Sequence, residues 1–404
     1  MAVALLAAPP AVAAPALGLE GVQRFDHVVV LIEENESFAT TWGTGSVAHY
    51  LNSLRARGVF ADQYFATGHV SLDNYIEMVS GQGPQPLSNS DCLAVNFYTC
   101  VQPQGQVSGG RNLADQLETA GLSWKGYMDT MPSPCFHAPY DPTYTPPPGK
   151  SPDPYQGNST AAPAKDYADR HNPFIYFPDI VENTARCTAH VLPYTALATD
   201  LAANRLPAFS FITPDTCHDG HDTPCSGGGP GGLTSADLWL TQEAPALLAY
   251  LTAHNGLLII TFDEGSNTDT SGCCTGGAGG QAGFGGRVGL LALGPTLKAG
   301  TTVSTAYDHA SLLRTIEDSF GISEYLNNAG TATPMADVLA AAAGTTPGAG
   351  ATPGPVALAG TGNTPLPGTG RGPAGPGLPA FGLTLVVAAA LLGGLRRRQA
   401  LTRG

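Results

Sequence analysis

The stretch HVVVLIEEN, residues 27–35, decides the fold, because an apolar run rich in β-branched residues ends there in two carboxyl groups and an amide. A run without polar alternation predicts a strand buried on both faces. Residues 257–262 repeat the pattern and are followed by Asp263 and Glu264. Because helical patterns alternate with such strands, we expect an α/β fold with a mainly parallel central sheet and helices on both faces.

Apolar spacing predicts the remaining elements. Strands are expected at residues 123–128, 208–212 and 288–293, and helices at residues 73–80, 112–120, 235–254 and 309–320. Residues 132–155 and 266–286 are predicted loops, of a length that is usually functional or disordered. The part from residue 22 to residue 343 is long enough for one large domain with a well-buried core.

The N-terminal residues predict export. Residues 1–21 are interpreted as a signal-peptide remnant and leader, because an apolar stretch closes on the small-residue pattern Ala11-Val12-Ala13. The basic residues that usually open such a signal are missing, so the alternative is an Ala-rich disordered terminus. Residues 22–343 are then the catalytic domain, which we expect to be secreted.

The C-terminal residues predict a surface anchor. Residues 344–377 form a spacer rich in Gly, Pro and Thr, a composition that buries no core. Within it Leu366-Pro367-Gly368-Thr369-Gly370 resembles a sortase signal of the L-P-x-T-G type. Residues 378–404 follow as a transmembrane segment with a basic tail, Arg396 to Arg398. The alternatives are sortase processing with attachment to the cell wall, or a plain membrane anchor.

Cysteine usage agrees with export, because the chain has eight cysteines and an even number in a secreted chain predicts disulfides. The cysteines that lie close in sequence are Cys92 and Cys100, Cys217 and Cys225, and Cys273 and Cys274, which leaves Cys135 and Cys187. The connectivity stays open, although a vicinal bridge is rarer than two bridges to other partners. No C-x-x-C spacing occurs, so a structural zinc site is not expected.

The charge distribution excludes one class of partner. The formal net charge is -14, and charged residues make up 12% of the chain. The predicted catalytic domain has no cluster of Lys and Arg, so binding of nucleic acid is not expected.

Acidic residues follow two of the predicted strands. Glu34 and Asn35 come after the first strand, and Asp263 and Glu264 come after a later one. Carboxylate and amide oxygens are ligands for divalent cations, and the carboxyl ends of parallel strands open into a common crevice. We therefore predict one shared metal site, with Ca, Mg, Mn or Zn as the cation. Taken singly, each pair is also compatible with helix capping or a solvated turn.

Ser71 precedes a predicted helix and is a candidate nucleophile. A helix N-terminus offers amides and a favourable dipole to a phosphate, and a nearby cation lowers the pKa of a hydroxyl. Asn74, one turn later, is a candidate for binding a phosphoryl oxygen, and His69 for contacting the phosphate. The alternative for Ser71 is an N-cap. The segment lacks the G-x-S-x-G pattern, which disfavours a Ser-His-Asp triad.

Two histidines are candidate site residues. His221 lies between Cys217 and Cys225, where a disulfide reduces the entropy lost when ligands become ordered. His309 follows Asp308 at the start of a predicted helix, and capping is the alternative role for that aspartate. His218 is expected to be solvated. A structural role is predicted for the other histidines weighed: His27, His49, His137, His171, His190 and His254.

Five blocks of the sequence together resemble a known family. They are residues 34–38, 68–75, 215–222, 262–265 and 307–317. In this order they resemble the bacterial phosphoesterase family, which holds acid phosphatases and phospholipases C and belongs to the alkaline-phosphatase-like superfamily. The resemblance covers about residues 24–322 and implies an alkaline-phosphatase-like three-layer fold.

The resemblance also implies roles for single residues. Glu34, Asn35, Asp263 and Glu264 would bind metal, Ser71 would be the nucleophile with Asn74 on the phosphate, and His221 and His309 would lie by the metal or the phosphate. The two-zinc members of the superfamily have an Asp-His pair where this chain has Asp263-Glu264. A full two-zinc centre is therefore not implied.

The leading prediction is a metal-dependent acid phosphatase that acts on phosphate monoesters through a phosphoserine at Ser71. His221 or His309 would protonate the leaving group, which suits activity at acid pH. We expect the catalytic section to end before the extra C-terminal domains that large phospholipases C carry, which favours the phosphomonoesterase. The alternatives are a phospholipase C-type phosphodiesterase and a non-catalytic surface binding protein.

Overall fold

This computed structural model describes residues 16–85, 88–91, 110–137, 166–225, 228–274 and 284–342. The strands are β1 (His27–Glu33), β2 (Val59–Ala61), β3 (Tyr64–Phe65), β4 (Trp124–Met128), β5 (Val191–Pro193), β6 (Phe209–Thr213), β7 (Gly256–Phe262), β8 (Leu290–Leu293), β9 (Thr301–Val303) and β10 (Tyr307–Asp308). The α-helices are α1 (Phe38–Trp42), α2 (His49–Leu54), α3 (Ser71–Ser80), α4 (Leu113–Thr119), α5 (Pro178–Val181), α6 (Thr184–His190), α7 (Thr195–Ala202), α8 (Gly232–Ala253) and α9 (His309–Phe320).

The central sheet has the strand order β5-β4-β6-β1-β7-β8-β2-β9. Neighbouring strands are parallel except where β8 pairs antiparallel with β7 and with β2. β1 lies in the middle of the sheet between β6 and β7. The mainly parallel sheet that the sequence predicts is confirmed, and β8 is its antiparallel exception.

Both faces of the central strands are covered. Every residue of β7 is buried, and so is every residue of β1 after His27. Successive side chains of a strand point to opposite faces, so this burial requires a layer on each side of the sheet. Two helix groups supply contacts: α3 packs against α4 and α9, and α8 packs against α2 and β7.

Capping residues determine where α9 begins and where α3 ends. The Asp308 carboxylate accepts a hydrogen bond from the Ser311 amide at 2.8 Å, so α9 begins at His309. α3 ends at Gly81, whose φ of +67° is left-handed. A Cβ at this position would lie 2.3 Å from the Leu326 carbonyl oxygen, so only glycine fits here.

A second, two-stranded sheet joins distant segments. β10 runs parallel to β3, with Tyr307 opposite Tyr64 and Asp308 opposite Phe65. This pairing places the start of α9 beside residues 64–70, the segment that leads into α3. His309 and Ser71 are thereby brought to the same region although they are far apart in sequence.

The disulfides resolve the open cysteine connectivity in part. Cys135 pairs with Cys187, and Cys217 pairs with Cys225. Cys273 and Cys274 form a vicinal bridge, so the expectation of bridges to other partners is wrong for this pair. The two residues are adjacent in a loop, and no other cysteine among the described residues is bonded to either of them. Cys92 and Cys100 lie outside the described residues.

The predicted ends of the chain lie mostly outside the described residues. This holds for residues 1–15 of the leader, the spacer with its sortase-like motif, and the predicted transmembrane segment. Within the described ranges, no helix is both long enough and apolar enough to cross a membrane.

Two buried glutamates make stability depend on pH. Burial raises the pKa of Glu77 to about 7 and that of Glu317 to about 8, although hydrogen bonds oppose both shifts. When the pKa of a carboxyl group is higher in the folded than in the unfolded state, it stabilises the fold at pH values below the unfolded-state pKa. This contribution is lost as the pH rises through the folded-state pKa. We expect Glu77→Gln and Glu317→Gln to reduce the fall in melting temperature between pH 5 and pH 8. Thermal unfolding across pH measures this; an unchanged slope in both variants would contradict it.

Candidate functional site

The acidic residues meet at the carboxyl edge of the sheet. The parallel register sets Glu33 of β1 opposite Phe262 of β7, so the residues that follow, Glu34 and Asp263, leave the sheet side by side. The amide of Asn35 donates a hydrogen bond to Asp263 Oδ1 at 3.1 Å. The loop after β6 enters the same region, because the Glu34 amide donates to the Asp219 carbonyl at 2.7 Å.

The Glu34 side chain is fully buried, and several polar side chains contact its carboxylate. Its Oε2 accepts hydrogen bonds from Ser71 Oγ at 3.1 Å and from Asn35 Nδ2 at 2.8 Å. Its Oε1 accepts one from the Tyr75 hydroxyl at 2.6 Å. His171 Nε2 lies 3.3 Å from the same Oε1. The carboxylate therefore links the first two turns of α3 to the end of β1.

His171 bridges two carboxylates. Its Nδ1 lies 3.3 Å from Asp219 Oδ2, and its Nε2 faces Glu34. Ligand atoms of Glu34, His171 and Asp219 all lie within 4.8 Å of one another, and all three residues are buried. His171, for which the sequence predicts a structural role, is therefore also a candidate metal ligand. Its position depends on the short 3₁₀ helix that carries it, Asp169–His171, which follows no predicted strand.

Asp263 and Glu264 add two more carboxyl groups. Asp263 Oδ1 also accepts from the Glu264 amide at 2.6 Å, and His69 Nδ1 lies 3.9 Å from Glu264 Oε2. Several buried atoms have no hydrogen-bond partner among the described residues: Asp219 Oδ2, Asp263 Oδ2, Glu264 Oε2 and both ring nitrogens of His171. Orphaned buried polar atoms are costly, so this arrangement is one that a bound cation would satisfy.

The electrostatics of these buried groups also favour a bound cation. Burial raises the pKa of Glu34, Asp219, Asp263 and Glu264, and neighbouring carboxylates raise it further for all of them but Asp263. Burial lowers the pKa of His171, so its imidazole is neutral and able to donate a lone pair. Carboxylates with a neutral imidazole are a donor set that fits a divalent cation. The residues present therefore fit the predicted metal.

Ser71 is the first residue of α3 and does not cap it. The N-cap is Val70, and no side-chain capping bond is formed there, so the N-cap alternative for Ser71 is wrong. The side chain is buried, and its hydroxyl donates to Glu34. A hydroxyl at a helix N-terminus beside a buried acidic cluster has the surroundings of an activated nucleophile.

Asn74 holds the segment before α3. Its amide nitrogen donates to the carbonyls of Gly68 and Val70, and its Oδ1 accepts from the amides of Thr67 and Gly68. Because both amide hydrogens are used in this way, the predicted contact of Asn74 with a phosphoryl oxygen is not available in this arrangement. His69 lies in the same segment, with Nε2 2.8 Å from the Asp269 carbonyl oxygen and Nδ1 facing Glu264.

The two candidate histidines have different surroundings. His309 is fully buried: its Nε2 donates to the Asp263 carbonyl at 2.7 Å, and its Nδ1 accepts from the Tyr64 hydroxyl at 2.9 Å. Burial lowers the pKa of His309 to about 4. Both ring nitrogens are engaged in this arrangement, so His309 positions the main chain of Asp263, and its general-acid role stays a prediction. His221 is partly exposed, and its Nδ1 donates to Asp222 at 2.9 Å.

His218 is partly solvated, as predicted, with 37% of its side chain exposed, but it also contacts two carboxylates. Its Nδ1 lies 2.8 Å from Asp129 Oδ2 and 3.0 Å from Asp215 Oδ1. Burial alone would lower the pKa of His218, but the two carboxylates raise it to about 10. The imidazolium is therefore a structural ion-pair partner that ties β4 to the loop after β6.

Arg170 was not predicted and is a buried cation beside the acidic cluster. Its Nη2 lies 3.2 Å from His221 Nε2, and it lowers the pKa of Glu34 and of Glu264 against the effect of burial. A guanidinium only donates, so His221 Nε2 accepts in this arrangement. No motif in the sequence marks Arg170, which stands next to His171 in the short 3₁₀ helix Asp169–His171.

Comparison with known proteins adds to this geometry. The model of the phosphoesterase family matches residues 45–323, more than half of the chain. The chain is 26% identical over 332 residues to a phosphatidylinositol-3-phosphatase of Mycobacterium tuberculosis, covering 81% of this chain and 87% of that protein. It is 26% identical over 303 residues to a phosphate-repressible acid phosphatase of Penicillium chrysogenum, covering 74% of this chain and 60% of that one.

A solved structure from the alkaline phosphatase superfamily, from Vibrio parahaemolyticus, gives a TM-score of 0.47 at 11% identity, covering 76% of this chain and 69% of that chain. The family match includes Ser71, Arg170, His171 and Asp263 and begins shortly after Glu34. The chain therefore belongs to the phosphoesterase family, a family of phosphoric ester hydrolases.

Proposed function

We propose that this phosphoesterase is a metal-dependent phosphomonoesterase of the acid phosphatase type, with Ser71 as its nucleophile. The observation that carries the proposal is the Ser71 hydroxyl, which lies 3.1 Å from Glu34 Oε2 at the edge of a cluster of buried carboxyl groups. The names of the relatives support it, because a phosphatidylinositol-3-phosphatase and acid phosphatases both release phosphate from monoesters.

The cation would be held by Glu34, Asn35, Asp263 and Glu264, with His171 and Asp219 next to them. When bound, it would stabilise the ionised serine and the charge on the phosphoryl oxygens. The oxygen ligands suit Ca, Mg or Mn, and the imidazole of His171 adds a donor that Zn prefers.

The protein's own groups account for the remaining steps. Ser71 passes its proton to Glu34 Oε2, which accepts its hydrogen bond, and Oγ attacks phosphorus in line. The Oγ–P bond forms while the bond from phosphorus to the leaving alcohol breaks. His221 is the candidate that protonates the alcohol: in this step Nε2 has exchanged the hydrogen bond from Arg170 for a proton from solvent, while Asp222 fixes the ring through Nδ1. Water then cleaves the phosphoserine, and Ser71 regains its proton. Asn74 keeps the segment before Ser71 in place throughout.

The substrate class separates this proposal from its alternatives. We expect the purified protein to release phosphate from para-nitrophenyl phosphate, to lose activity with EDTA and to regain it with one of the four cations. Release of phosphocholine headgroups from phosphatidylcholine vesicles at a higher rate would favour the phospholipase C-type alternative. No turnover of either substrate with any cation would favour a non-catalytic surface protein.

Export and anchoring are a separate proposal. We infer them from the leader pattern, the order of sortase-like motif, apolar segment and arginines, and the disulfides within the catalytic domain. Sortase processing is expected to cut after Thr369, so cell-wall protein should end there. Mass spectrometry of the C-terminal peptide tests this, since an intact tail through Arg398 in the membrane fraction would indicate a plain membrane anchor.

A further inference from the structure

Asp91 lies at the N-terminus of α3, beside the proposed nucleophile. Its Oδ1 accepts a hydrogen bond from the Leu72 amide at 2.9 Å, one residue after Ser71. Its Oδ2 lies 3.9 Å from Arg170 Nε. One carboxylate thus spans a helix N-terminus and a guanidinium, two groups that both favour bound anions.

Arg170 is placed to hold an anion within the site. Its side chain is only 2% exposed, whereas that of Asp91 is 24% exposed. The guanidinium faces His221 through Nη2 and acts on the charges of Glu34 and Glu264. Arg170 and Asp91 therefore lie close together at the start of α3, beside the acidic cluster.

We propose that Asp91 occupies the phosphate-binding position of the resting enzyme, and that substrate phosphate displaces it from Arg170 and from the Leu72 amide. The inference deepens the proposed function by assigning Arg170 as the residue that binds the phosphoryl oxygens. A phosphate carries more charge than a carboxylate and has three acceptor oxygens, so it can compete for the same donors. Asp91 then acts as an internal competitor that weakens the binding of substrate and of product.

The test compares inhibition by inorganic phosphate in variants of the two residues. Asp91→Asn keeps the size and the acceptor for the Leu72 amide but removes the charge that pairs with Arg170. We expect it to lower the phosphate Ki and the KM for para-nitrophenyl phosphate by about threefold, as for a partly exposed ion pair. Arg170→Lys keeps the charge but loses the planar fork, and is expected to raise both constants by about tenfold.

The double variant distinguishes exchange from independent effects. If Asp91 acts through Arg170, the effect of Asp91→Asn disappears in the Arg170→Lys background. The matched control is Asp26→Asn, which removes one exposed carboxylate at the opposite, amino end of β1 and is expected to change neither constant. If Asp91 only caps α3, Asp91→Asn leaves the phosphate Ki unchanged or raises it, and that result would overturn the proposal.

Calorimetry keeps this test separate from the proposed function. Phosphate binding is measured for Ser71→Ala with and without Asp91→Asn, so no turnover is required. If phosphate binds more tightly to the Ser71→Ala, Asp91→Asn variant than to Ser71→Ala alone, the exchange is supported even if Ser71 is not the nucleophile. Equal or weaker binding contradicts the exchange even if the phosphatase activity is established.

Discussion

Ser71→Ala is expected to abolish phosphatase turnover, lowering kcat by about a thousandfold or more, as removal of a nucleophile does in other hydrolases. The fold should persist, because Ser71 does not cap α3 and the substitution removes only hydrogen bonds of its hydroxyl, such as the one to Glu34. One such bond contributes about 1 kcal/mol to stability. Steady-state kinetics and thermal unfolding of the same preparation measure both effects.

The matched control is Ser80→Ala, the same substitution in the same helix. Ser80 is buried at the other end of α3, about 13 Å away along the axis, where its hydroxyl donates to the Ile76 carbonyl. Near wild-type kcat is expected for this variant. Activity retained in Ser71→Ala would show that the nucleophile is assigned wrongly. Thr67 is a poor substitute candidate, because it is fully buried and its hydroxyl donates to Glu77.

Glu34→Gln and Asp263→Asn are each expected to lower bound metal and to reduce activity by at least about a hundredfold, since each removes a charged ligand while size is kept. Both carboxyl groups are fully buried and lie on neighbouring strands, so each substitution acts on one shared site. Metal content by mass spectrometry after dialysis, together with kcat, measures the effect.

The control for loss of a buried carboxyl group is Glu317→Gln. Glu317 lies on α9, where its carboxylate accepts from Gln116 and from the Leu326 amide. It contacts none of the proposed ligands, so its substitution should alter the pH dependence of stability and leave metal content unchanged. Unchanged metal content in both Glu34→Gln and Asp263→Asn would exclude the shared site.

The sequence was most informative where burial leaves a clear pattern of apolar residues. The apolar runs of β1 and β7 predict strands, and parallel strands necessarily bring their carboxyl ends to one edge. The proximity of Glu34 and Asp263 follows from that rule and from the register His27 to Gly256. Both helices that flank the site, α3 and α9, were predicted for the same reason.

The roles of single polar residues were not predictable in this way. Arg170 and His171 stand in a short 3₁₀ helix, and Asp219 stands in a loop. The paths of such segments depend on tertiary contacts rather than on local pattern. Asn74 and His309 lie in motifs that suggest chemistry, yet nearby carbonyl and hydroxyl groups already use their donors and acceptors. A hydrogen-bond partner is a property of three-dimensional packing, so sequence alone could not separate positioning residues from reacting ones.

Trapping of the covalent intermediate tests the central claim most directly. The metal-loaded enzyme is mixed with a phosphate monoester, quenched in acid within one turnover and digested, and the phosphorylated peptide is sequenced by mass spectrometry. The account predicts phosphate on Ser71, formed by the wild type and not by Ser71→Ala. Phosphate on another residue, or turnover by Ser71→Ala at the wild-type rate, would contradict it.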